Sequence, residues 1–359
     1  MQKVKNILIM GGTGAMGSHL VTLLSGLGGV NVTVTSRSKH ASAGETIFRQ
    51  GDAKDLSFLG VVLNEHYWDA IVDFMQYTTD EFYQRYERLL SSTKQYVFLS
   101  SSRVYAESEC TLTENSPRIL DVCTNKDYLS TDEYALKKAR QEDILKTCGK
   151  NNWTIIRPYI TFSEYRLQLS PLEKEHWLYR ALKGRTIVFS KDLADRKTTF
   201  TYGNDVAKGI ASILGKDSAQ GQVFHITCNE TVTWREILDK YVNVIEEETG
   251  IKTRVLFLDK WKPYMGGNEY QVKWDRYYDR IFDTSKISQY INTQEFSPTL
   301  TSVSSCLRAF IRQPVFKSID WVKEADKDRA TGEWANINEI PGVRQKLKYY
   351  LVRIGLYSR

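Results

Sequence analysis

Two side chains in the middle of the chain, Tyr134 and Lys138, have types and spacing that allow proton transfer. They lie four residues apart, so on a helix they share one face. A phenol exchanges protons poorly near neutral pH because its unperturbed pKa is about 10, and a fixed ammonium group beside it lowers that pKa. The pair therefore predicts a general acid/base. Because Tyr-x-x-x-Lys also recurs by chance, its context decides whether it is catalytic.

A serine cluster at residues 100–102 supplies further hydroxyls. It directly follows residues 95–99, an apolar run that predicts a buried strand. Serine clusters usually fill loops, but a hydroxyl at the carboxyl end of a parallel strand lies where open α/β sheets bind ligands. The cluster precedes Tyr134 by about 33 residues and is a candidate third catalytic member.

The elements that must position these residues begin with a glycine-rich turn, Gly11-x-x-Gly14-x-x-Gly17. Residues 6–10 before it predict a buried parallel strand, and residues 18–27 after it show helical spacing. This order predicts a dinucleotide site, because the glycines let the backbone approach a pyrophosphate and the helix start offers free N–H groups. The spacing differs from the usual Gly-x-Gly-x-x-Gly, and a turn without any ligand is the alternative.

The second predicted strand, residues 31–35, ends in a basic loop. Enzymes that use NAD usually carry a carboxylate here for the ribose 2′-hydroxyl, but this chain has Arg37 and Lys39. These cations suit a 2′-phosphate and therefore NADP, with a solvated loop as the alternative. Further along, Asp52 is a candidate acceptor for the adenine amino group, whereas Asp55 better suits a helix N-cap.

Taken in order, these motifs resemble the extended short-chain dehydrogenase/reductases, in particular the NAD-dependent epimerase/dehydratase family that modifies nucleotide sugars. The matching motifs are Gly11-x-x-Gly14-x-x-Gly17, Gly51-Asp52-x-x-Asp55, Ser101-Ser102-x-Val104-Tyr105, Tyr134-x-x-x-Lys138, Arg157-Pro158-Tyr159 and Asp205-Val206-Ala207. The resemblance covers about residues 4–290.

The resemblance implies a role for each matching residue. Tyr134 would be the acid/base, Lys138 would bind the nicotinamide ribose and lower the pKa of Tyr134, and Ser101 would hydrogen-bond the reacting sugar oxygen. The implied cofactor-binding residues are Gly11, Thr13, Gly14, Met16, Gly17, Ser36, Arg37, Lys39, Asp52, Ala53, Met75, Tyr134, Lys138 and Tyr159. The expected substrate-binding residues are Ser102, Arg103, Arg196, Lys197, Arg276 and Arg280, and no metal ligand is expected.

The chain departs from the family pattern in three places. Family 4,6-dehydratases carry an Asp-Glu pair after the catalytic Ser/Thr, whereas this chain has Ser102 and Arg103, so dehydration has no evident proton source. The acid after the second strand is replaced by basic residues, which puts NAD in doubt and slightly favours NADP. The usual substrate-diphosphate arginine is Thr198 here, with Arg196 or Lys197 as candidate substitutes.

The family resemblance, together with these departures, implies an NAD(P)-dependent nucleotide-sugar epimerase that transfers hydride at the sugar C4, because the family holds many epimerases. An NADPH-dependent reductase of 4-keto sugars is the alternative, and a 4,6-dehydratase is disfavoured. A cofactor-binding regulator or RNA-binding protein on the same fold is the non-enzyme alternative, although such relatives often lose the Tyr/Lys pair that this chain retains. The expected partners are a nucleotide-diphosphate sugar and a second copy of the chain, with no nucleic acid.

Alternating strand and helix patterns predict an α/β fold with a doubly wound parallel (Rossmann) sheet and a smaller C-terminal substrate lobe. The predicted core is residues 1–165, with return elements at about 200–230. Residues 166–199, with a helix at 172–182, and residues 229–300 predict the lobe. Residues 301–359 predict a helical extension.

Composition bounds the class of protein. The 359 residues and a net charge of +6 suit a globular protein with an anionic ligand. The five cysteines are scattered and form no Cys-x-x-Cys motif. The sequence therefore predicts neither a disulfide framework nor a zinc site. No apolar run approaches 18 residues and the first strand begins within six, so we expect neither a membrane span nor a signal peptide, and a cytoplasmic location.

The C-terminal residues 343–359 are unusual because they contain five basic residues and no acid. Apolar residues in this segment follow helical spacing, namely Val343, Leu347, Tyr350, Leu351 and Ile354. A basic amphipathic helix is able to lie on an anionic membrane surface. Terminal helices more commonly dock on their own domain or on a partner subunit, and this interpretation is favoured.

Overall fold

The computed structural model describes residues 5–357 and forms two compact units. The first contains the chain up to Ser163 together with Thr199–Glu230 and Arg280–Pro298, and the second contains the rest. Arg280–Pro298, which the sequence predicted for the substrate lobe, groups with the first unit. Backbone hydrogen bonds explain this grouping. The Leu112 N–H donates to the Ile281 carbonyl (2.8 Å), and the Leu112 carbonyl accepts from the Asp283 N–H (2.9 Å).

In the described residues the strands are β1 (Asn6–Met10), β2 (Asn31–Ser36), β3 (Thr46–Gln50), β4 (Trp68–Asp73), β5 (Thr93–Leu99), β6 (Trp153–Pro158), β7 (Ile160–Phe162), β8 (Ile187–Ser190), β9 (Lys197–Thr198), β10 (Phe200–Tyr202), β11 (Gln222–Ile226), β12 (Val232–Thr233) and β13 (Val255–Leu258). The α-helices are α1 (Gly17–Ser25), α2 (Leu56–Leu63), α3 (Thr79–Tyr83), α4 (Tyr86–Ser91), α5 (Ile119–Val122), α6 (Lys126–Leu129), α7 (Tyr134–Thr147), α8 (Lys174–Leu182), α9 (Lys191–Ala194), α10 (Gly203–Ile213), α11 (Trp234–Thr249), α12 (Glu269–Gln271), α13 (Thr299–Arg312), α14 (Trp321–Thr331) and α15 (Gly342–Arg353).

Seven strands of the first unit form one parallel sheet in the order β11-β6-β5-β4-β1-β2-β3. Successive residues of a strand point to opposite faces. Along β1, Ile7 and Ile9 accordingly join a core with α1 and α10, whereas Leu8 and Met10 join a second core with α2, α3, α4 and α7. The sheet is covered on both faces, which confirms the predicted doubly wound fold.

The strand order reverses at β1, which lies between β2 and β4. In register, Met10 at the end of β1 pairs with Thr35 of β2 and with Asp73 of β4. The carboxyl ends of the strands therefore meet at one edge, and the chain leaves crevices there where open α/β sheets bind ligands. Segments that follow adjacent strands therefore lie side by side at this edge.

A buried ion pair fastens α7 to this edge. The Glu142 carboxylate, two turns after the helix starts, accepts from Arg157 Nε (2.8 Å) and Nη2 (2.6 Å) on β6. It also accepts from the Ser100 hydroxyl after β5 (2.6 Å), and both charged residues are buried. Burial raises the pKa of Glu142, but Arg157 more than offsets this, so the net pKa is lowered.

The second unit is mainly helical, with the strand pairs β8–β13 and β9–β12. Its predicted first helix starts at Lys174 instead of residue 172, because Leu169 and Leu172 exchange backbone hydrogen bonds around Ser170, whose φ is 54°. The predicted C-terminal helix ends at Arg353, and Arg359 lies outside the described residues. Among residues 5–357, no helix is long and apolar enough to cross a membrane.

Replacing Glu142 by Gln leaves Arg157 buried beside a neutral amide. We expect the free energy of unfolding to fall by about 3–5 kcal/mol, the usual cost of removing one member of a buried pair. Because folding lowers the pKa of Glu142, this stabilisation is present above the ordinary glutamate pKa of about 4.3 and is lost as the pH falls below it. Urea unfolding at neutral and acidic pH measures both effects.

The matched control is Glu109→Gln, which neutralises an exposed carboxylate. It is expected to leave stability within about 0.5 kcal/mol of the original chain. Equal losses for the two variants at neutral pH would show that the Glu142–Arg157 pair does not fasten α7.

Candidate active site

Tyr134 is the first residue of α7 and is half-buried. The Arg103 guanidinium carbon lies 5.2 Å, and the Lys137 ammonium 5.7 Å, from the centre of its ring. Within the described residues its phenol hydroxyl makes no hydrogen bond, so it is available to a ligand. An uncommitted phenol near two cations can exchange a proton with a bound hydroxyl.

Lys138 lies one turn along the same face of α7 and is 1% exposed. Its ammonium donates to the Leu99 carbonyl at the end of β5 (2.7 Å). Burial lowers the pKa of Lys138 to about 8, whereas the Asp73 carboxylate raises it. An ammonium group has three N–H donors, and the described residues occupy one of them, which leaves two for a ligand.

Asp73 ends β4 and is fully buried. Burial raises its pKa to about 6, whereas the Tyr96 hydroxyl, which donates to it at 2.7 Å, the Met75 N–H and the charge of Lys138 lower it. Asp73 is therefore mostly ionised at neutral pH and provides a buried negative charge that favours the cationic form of Lys138.

The serines after β5 divide their roles. Ser101 accepts from Arg103 N (3.2 Å), and its hydroxyl hydrogen has no acceptor among the described residues. Ser102 is fully buried and donates to the Arg157 carbonyl (2.8 Å). Ser101 thus retains a donor for a ligand, whereas the commitment of the Ser102 hydroxyl to the Arg157 carbonyl argues against the substrate contact predicted for it.

Glu133 joins the serine loop to the tyrosine helix. Its carboxylate caps α7 by accepting from Ala135 N (2.8 Å), and it also accepts from Arg103 Nη2 (2.7 Å) and the Tyr128 hydroxyl (3.0 Å). Arg103 is therefore committed to an ion pair, which argues against the substrate contact predicted for it. The same pair fixes the loop that carries Ser101 against the start of the helix that carries Tyr134.

The glycine turn fits a pyrophosphate. Gly11 has a φ of 69°, and a Cβ there would lie 2.9 Å from the Met75 sulfur. A Cβ on Gly17 would lie 2.7 Å from Gly12 Cα, so strand and helix pack tightly around the turn. A Cβ on Gly14 would meet nothing within 4 Å, which leaves open space beside backbone N–H groups. The start of α1 has no side-chain cap and is suited to bind an anion, with the Ser18 N–H already donating to the Gly14 carbonyl (3.0 Å).

Two cations follow β2, and an acid follows β3. Ser36 is buried, but Arg37 and Lys39 are exposed and their charged groups have no partner among the described residues. Asp52 is exposed and its carboxylate accepts from Lys54 N (2.9 Å). As predicted, Asp55 is the N-cap of α2 and accepts from Phe58 N (2.7 Å).

The remaining predicted cofactor residues occupy the same sheet edge. Thr13 is exposed and Met16 half-buried in the glycine turn, and Ala53 is buried between β3 and α2. Met75 is half-buried after β4. Tyr159, which follows β6, is buried with its ring centre 5.3 Å from that of Phe282.

The predicted substrate cations fall into two groups. In the second unit, Arg196 and Lys197 are exposed, whereas Arg276 is buried and paired with Asp275. In the first unit, Arg280 is fully buried and donates to the carbonyls of Tyr105 (3.0 Å) and Ala106 (2.8 Å). These commitments of Arg276 and Arg280 argue against the substrate contacts expected for them.

Sequence reasoning missed three residues that shape the site: Asp73, Glu133 and Gly203. An acid closing an otherwise apolar strand and an acid preceding a helix were available signals for the first two. Gly203 begins α10, and a Cβ there would lie 2.4 Å from the Ala15 carbonyl oxygen, so α10 packs against the glycine turn. No group of three or more potential metal ligands occurs in residues 5–357.

Solved structures share the fold at low sequence identity. A dTDP-glucose 4,6-dehydratase from Bacillus anthracis in complex with NAD superposes with a TM-score of 0.65 at 16% identity, covering 86% of this chain and 97% of that one. A UDP-N-acetylglucosamine 4-epimerase from Methanobrevibacter ruminantium superposes with a TM-score of 0.64 at 18% identity, covering 87% and 100%. The same fold thus hosts both reactions, and it does not choose between them.

A sequence relative is the chloroplast stem-loop binding protein of 41 kDa b from Arabidopsis thaliana, 27% identical over 245 residues. The match covers 64% of this chain, and it spans only 60% of the relative's length. The family model described as the NAD dependent epimerase/dehydratase family matches residues 7–227, more than half of the sequence. The chain therefore belongs to the NAD dependent epimerase/dehydratase family.

Proposed function

We propose that this protein is an NAD(P)-dependent nucleotide-sugar 4-epimerase. The observation that carries the proposal is the arrangement at the start of α7. Among the described residues, the Tyr134 phenol makes no hydrogen bond, and the buried Lys138 ammonium has two spare donors. The Ser101 hydroxyl hydrogen is also unused there, and the Arg103–Glu133 ion pair fixes the Ser101 loop against the start of α7.

These residues divide the proton chemistry. A bound nicotinamide would supply hydride exchange with the sugar C4. Tyr134 would take the proton of the C4 hydroxyl as the carbonyl forms and return it to the same oxygen afterwards. Ser101 would donate to that oxygen, and Lys138 would bind the ribose through its spare donors.

The cofactor is proposed to be NADP in preference to NAD. Gly14 and the uncapped start of α1 would bind the pyrophosphate, and Asp52 the adenine amino group. Arg37 and Lys39 are exposed cations at the end of β2, where enzymes that use NAD place a carboxylate. Guanidinium and ammonium groups suit a 2′-phosphate.

The side chains near Ser101 disfavour dehydration. Elimination of the C6 hydroxyl needs an acid, and the two residues after Ser101 are Ser102 and Arg103. The neighbouring carboxylate, Glu133, accepts three hydrogen bonds and so serves as an acceptor instead of a proton donor. Chemistry confined to C4 remains, by epimerisation or, as the alternative, by reduction of a 4-keto sugar.

The second unit is proposed to be the substrate lobe. Arg196 and Lys197 are exposed around the start of β9 and would contact the substrate diphosphate. A homodimer stays a prediction of the family resemblance.

Binding of structured nucleic acid is the second candidate function. It is favoured by the stem-loop binding relative at 27% identity and by the net charge of +6. Binding of this kind would depend strongly on salt and would survive loss of the Tyr134 hydroxyl, because phosphate contacts do not use it. Fluorescence anisotropy with a stem-loop RNA separates the two functions.

Replacing Tyr134 by Phe removes the proposed proton carrier but keeps the ring. We expect turnover of nucleotide sugars to fall by about 10²–10⁴-fold, with cofactor affinity and the thermal midpoint unchanged. Steady-state assays with UDP-, dTDP- and GDP-sugars, with the exposed Tyr83→Phe as control, measure this. A near-normal rate in Tyr134→Phe would remove the proposed mechanism.

Replacing Arg37 and Lys39 together by Ser removes the proposed 2′-phosphate contacts. We expect the dissociation constant of NADPH to rise by at least about tenfold, because a charge-assisted hydrogen bond contributes about 1.5–3 kcal/mol. The constant for NADH should not change. Calorimetry with both cofactors measures this, with the exposed Lys252→Ser as control. Tighter binding of NADH than of NADPH by the original chain would contradict the assignment.

The fate of the cofactor separates epimerisation from reduction. For a 4-epimerase we expect turnover without net change in nicotinamide absorbance, because the hydride returns to the substrate. Stoichiometric oxidation of NADPH with a 4-keto sugar would indicate the reductase instead. A 4-keto-6-deoxy product from an ordinary nucleotide hexose would show dehydration and overturn the C4-only proposal.

A further inference from the structure

The C-terminal helix α15 packs against α14 through one face only. Tyr349 and Val352 are buried in a core with Trp321 and Ala325. The Tyr349 hydroxyl donates to the Asp328 carboxylate and accepts from Ala335 N, both at 2.7 Å. The helix is therefore fixed in position, and the face opposite this core is presented to the surroundings.

That opposite face carries a row of apolar side chains, here called the outer strip: Val343, Leu347, Tyr350 and Ile354. Their spacings of four, three and four residues place them on one line along the helix. They are 82%, 57%, 50% and 40% exposed. Single exposed apolar residues are ordinary, but a continuous row marks an interaction surface.

Basic residues border the outer strip on both sides. At 100° per residue, Arg344 and Lys348 lie along one side of the strip, and Lys346 and Arg353 along the other. No Asp or Glu occurs after Glu339. Arg353 also donates to the Glu333 carbonyl (2.7 Å), and its guanidinium lies 4.5 Å from the ring centre of Trp334.

Aromatic residues extend the same surface. Trp334 is half exposed, and its ring centre lies 5.9 Å from that of Tyr350. Beyond the helix end, Leu356 and Tyr357 are also exposed. Trp and Tyr favour the boundary between water and lipid because their rings are apolar at one end and polar at the other.

We propose that the outer strip and its bordering cations dock this protein on the surface of an anionic lipid bilayer. The apolar row would enter the headgroup boundary while the flanking cations contact lipid phosphates. A second copy of the chain is a poorer occupant. A two-fold interface places the same patch on both subunits, so the cations of one copy would lie against the equally basic patch of the other, with no acid on the helix to neutralise them.

The lipid charge sets the expected strength. Each basic residue close to an anionic membrane contributes about fivefold to binding. Three of the four bordering cations are counted here: Arg344, Lys346 and Lys348. They predict a preference of about 10²-fold for anionic over zwitterionic vesicles at low salt. The preference should shrink as salt is raised, because exposed charges are screened.

The test is co-sedimentation of the full chain with vesicles of phosphatidylcholine alone or mixed with phosphatidylglycerol. We expect binding only to the mixed vesicles. Val343→Ser with Leu347→Ser should abolish it, and Arg344→Gln with Lys348→Gln should weaken it by about 25-fold. Both variants change exposed residues, so the thermal midpoint and turnover should be those of the original chain.

Matched controls make the same chemical changes elsewhere. Leu27→Ser with Val61→Ser removes two exposed apolar side chains, and Lys252→Gln with Lys260→Gln removes two exposed charges. Both should bind mixed vesicles as the original chain does. Three results would each overturn the proposal: no binding to mixed vesicles at low salt, equal binding by strip and control variants, or self-association that disappears in Val343→Ser with Leu347→Ser.

Discussion

The buried pair between Glu142 and Arg157 is the interaction on which the candidate site depends. One carboxylate on α7 joins a guanidinium on β6 and a hydroxyl after β5, so one helix and two strand ends are fixed together. Glu142 lies four residues after Lys138 and eight after Tyr134, on the same helical face. The contact that fastens the helix therefore also directs both proposed catalytic side chains toward the sheet edge.

Electrostatics at this edge follow from burial. Lys138 and Asp73 are both removed from water, and burial brings their pKa values toward each other, to about 8 and about 6. The Asp73 carboxylate favours the charged form of Lys138, whereas hydrogen bonds from the Tyr96 hydroxyl and the Met75 N–H, together with the charge of Lys138, favour the charged form of Asp73. The positive charge of Lys138, beside the proposed nicotinamide ribose site, is thus favoured by Asp73 at the end of β4. Asp73 itself takes no direct part in the proposed chemistry.

The sequence predicted the parts of the fold that depend on local pattern. Apolar runs predicted the strands, and the glycine turn and the helix of Tyr134 showed how strands and helices alternate along the chain. Together they also indicated that the site lies at the carboxyl ends of the strands. Roles set by distant contacts were not predictable. Ser101 and Ser102 are chemically identical neighbours and both are buried, but only the Ser102 hydroxyl donates to the distant Arg157 carbonyl. Likewise, Arg280 is committed to carbonyls more than 170 residues earlier in the chain.

The contact between Glu133 and Arg103 also limits how this sequence can evolve. If position 103 became acidic, as in the dehydratases that the motifs resemble, two carboxylates would meet beside the start of α7. The two like charges would repel each other, and the tie between the serine loop and α7 would be lost. An acid at position 103 is therefore expected to loosen the attachment of the serine loop to α7 unless position 133 changes as well.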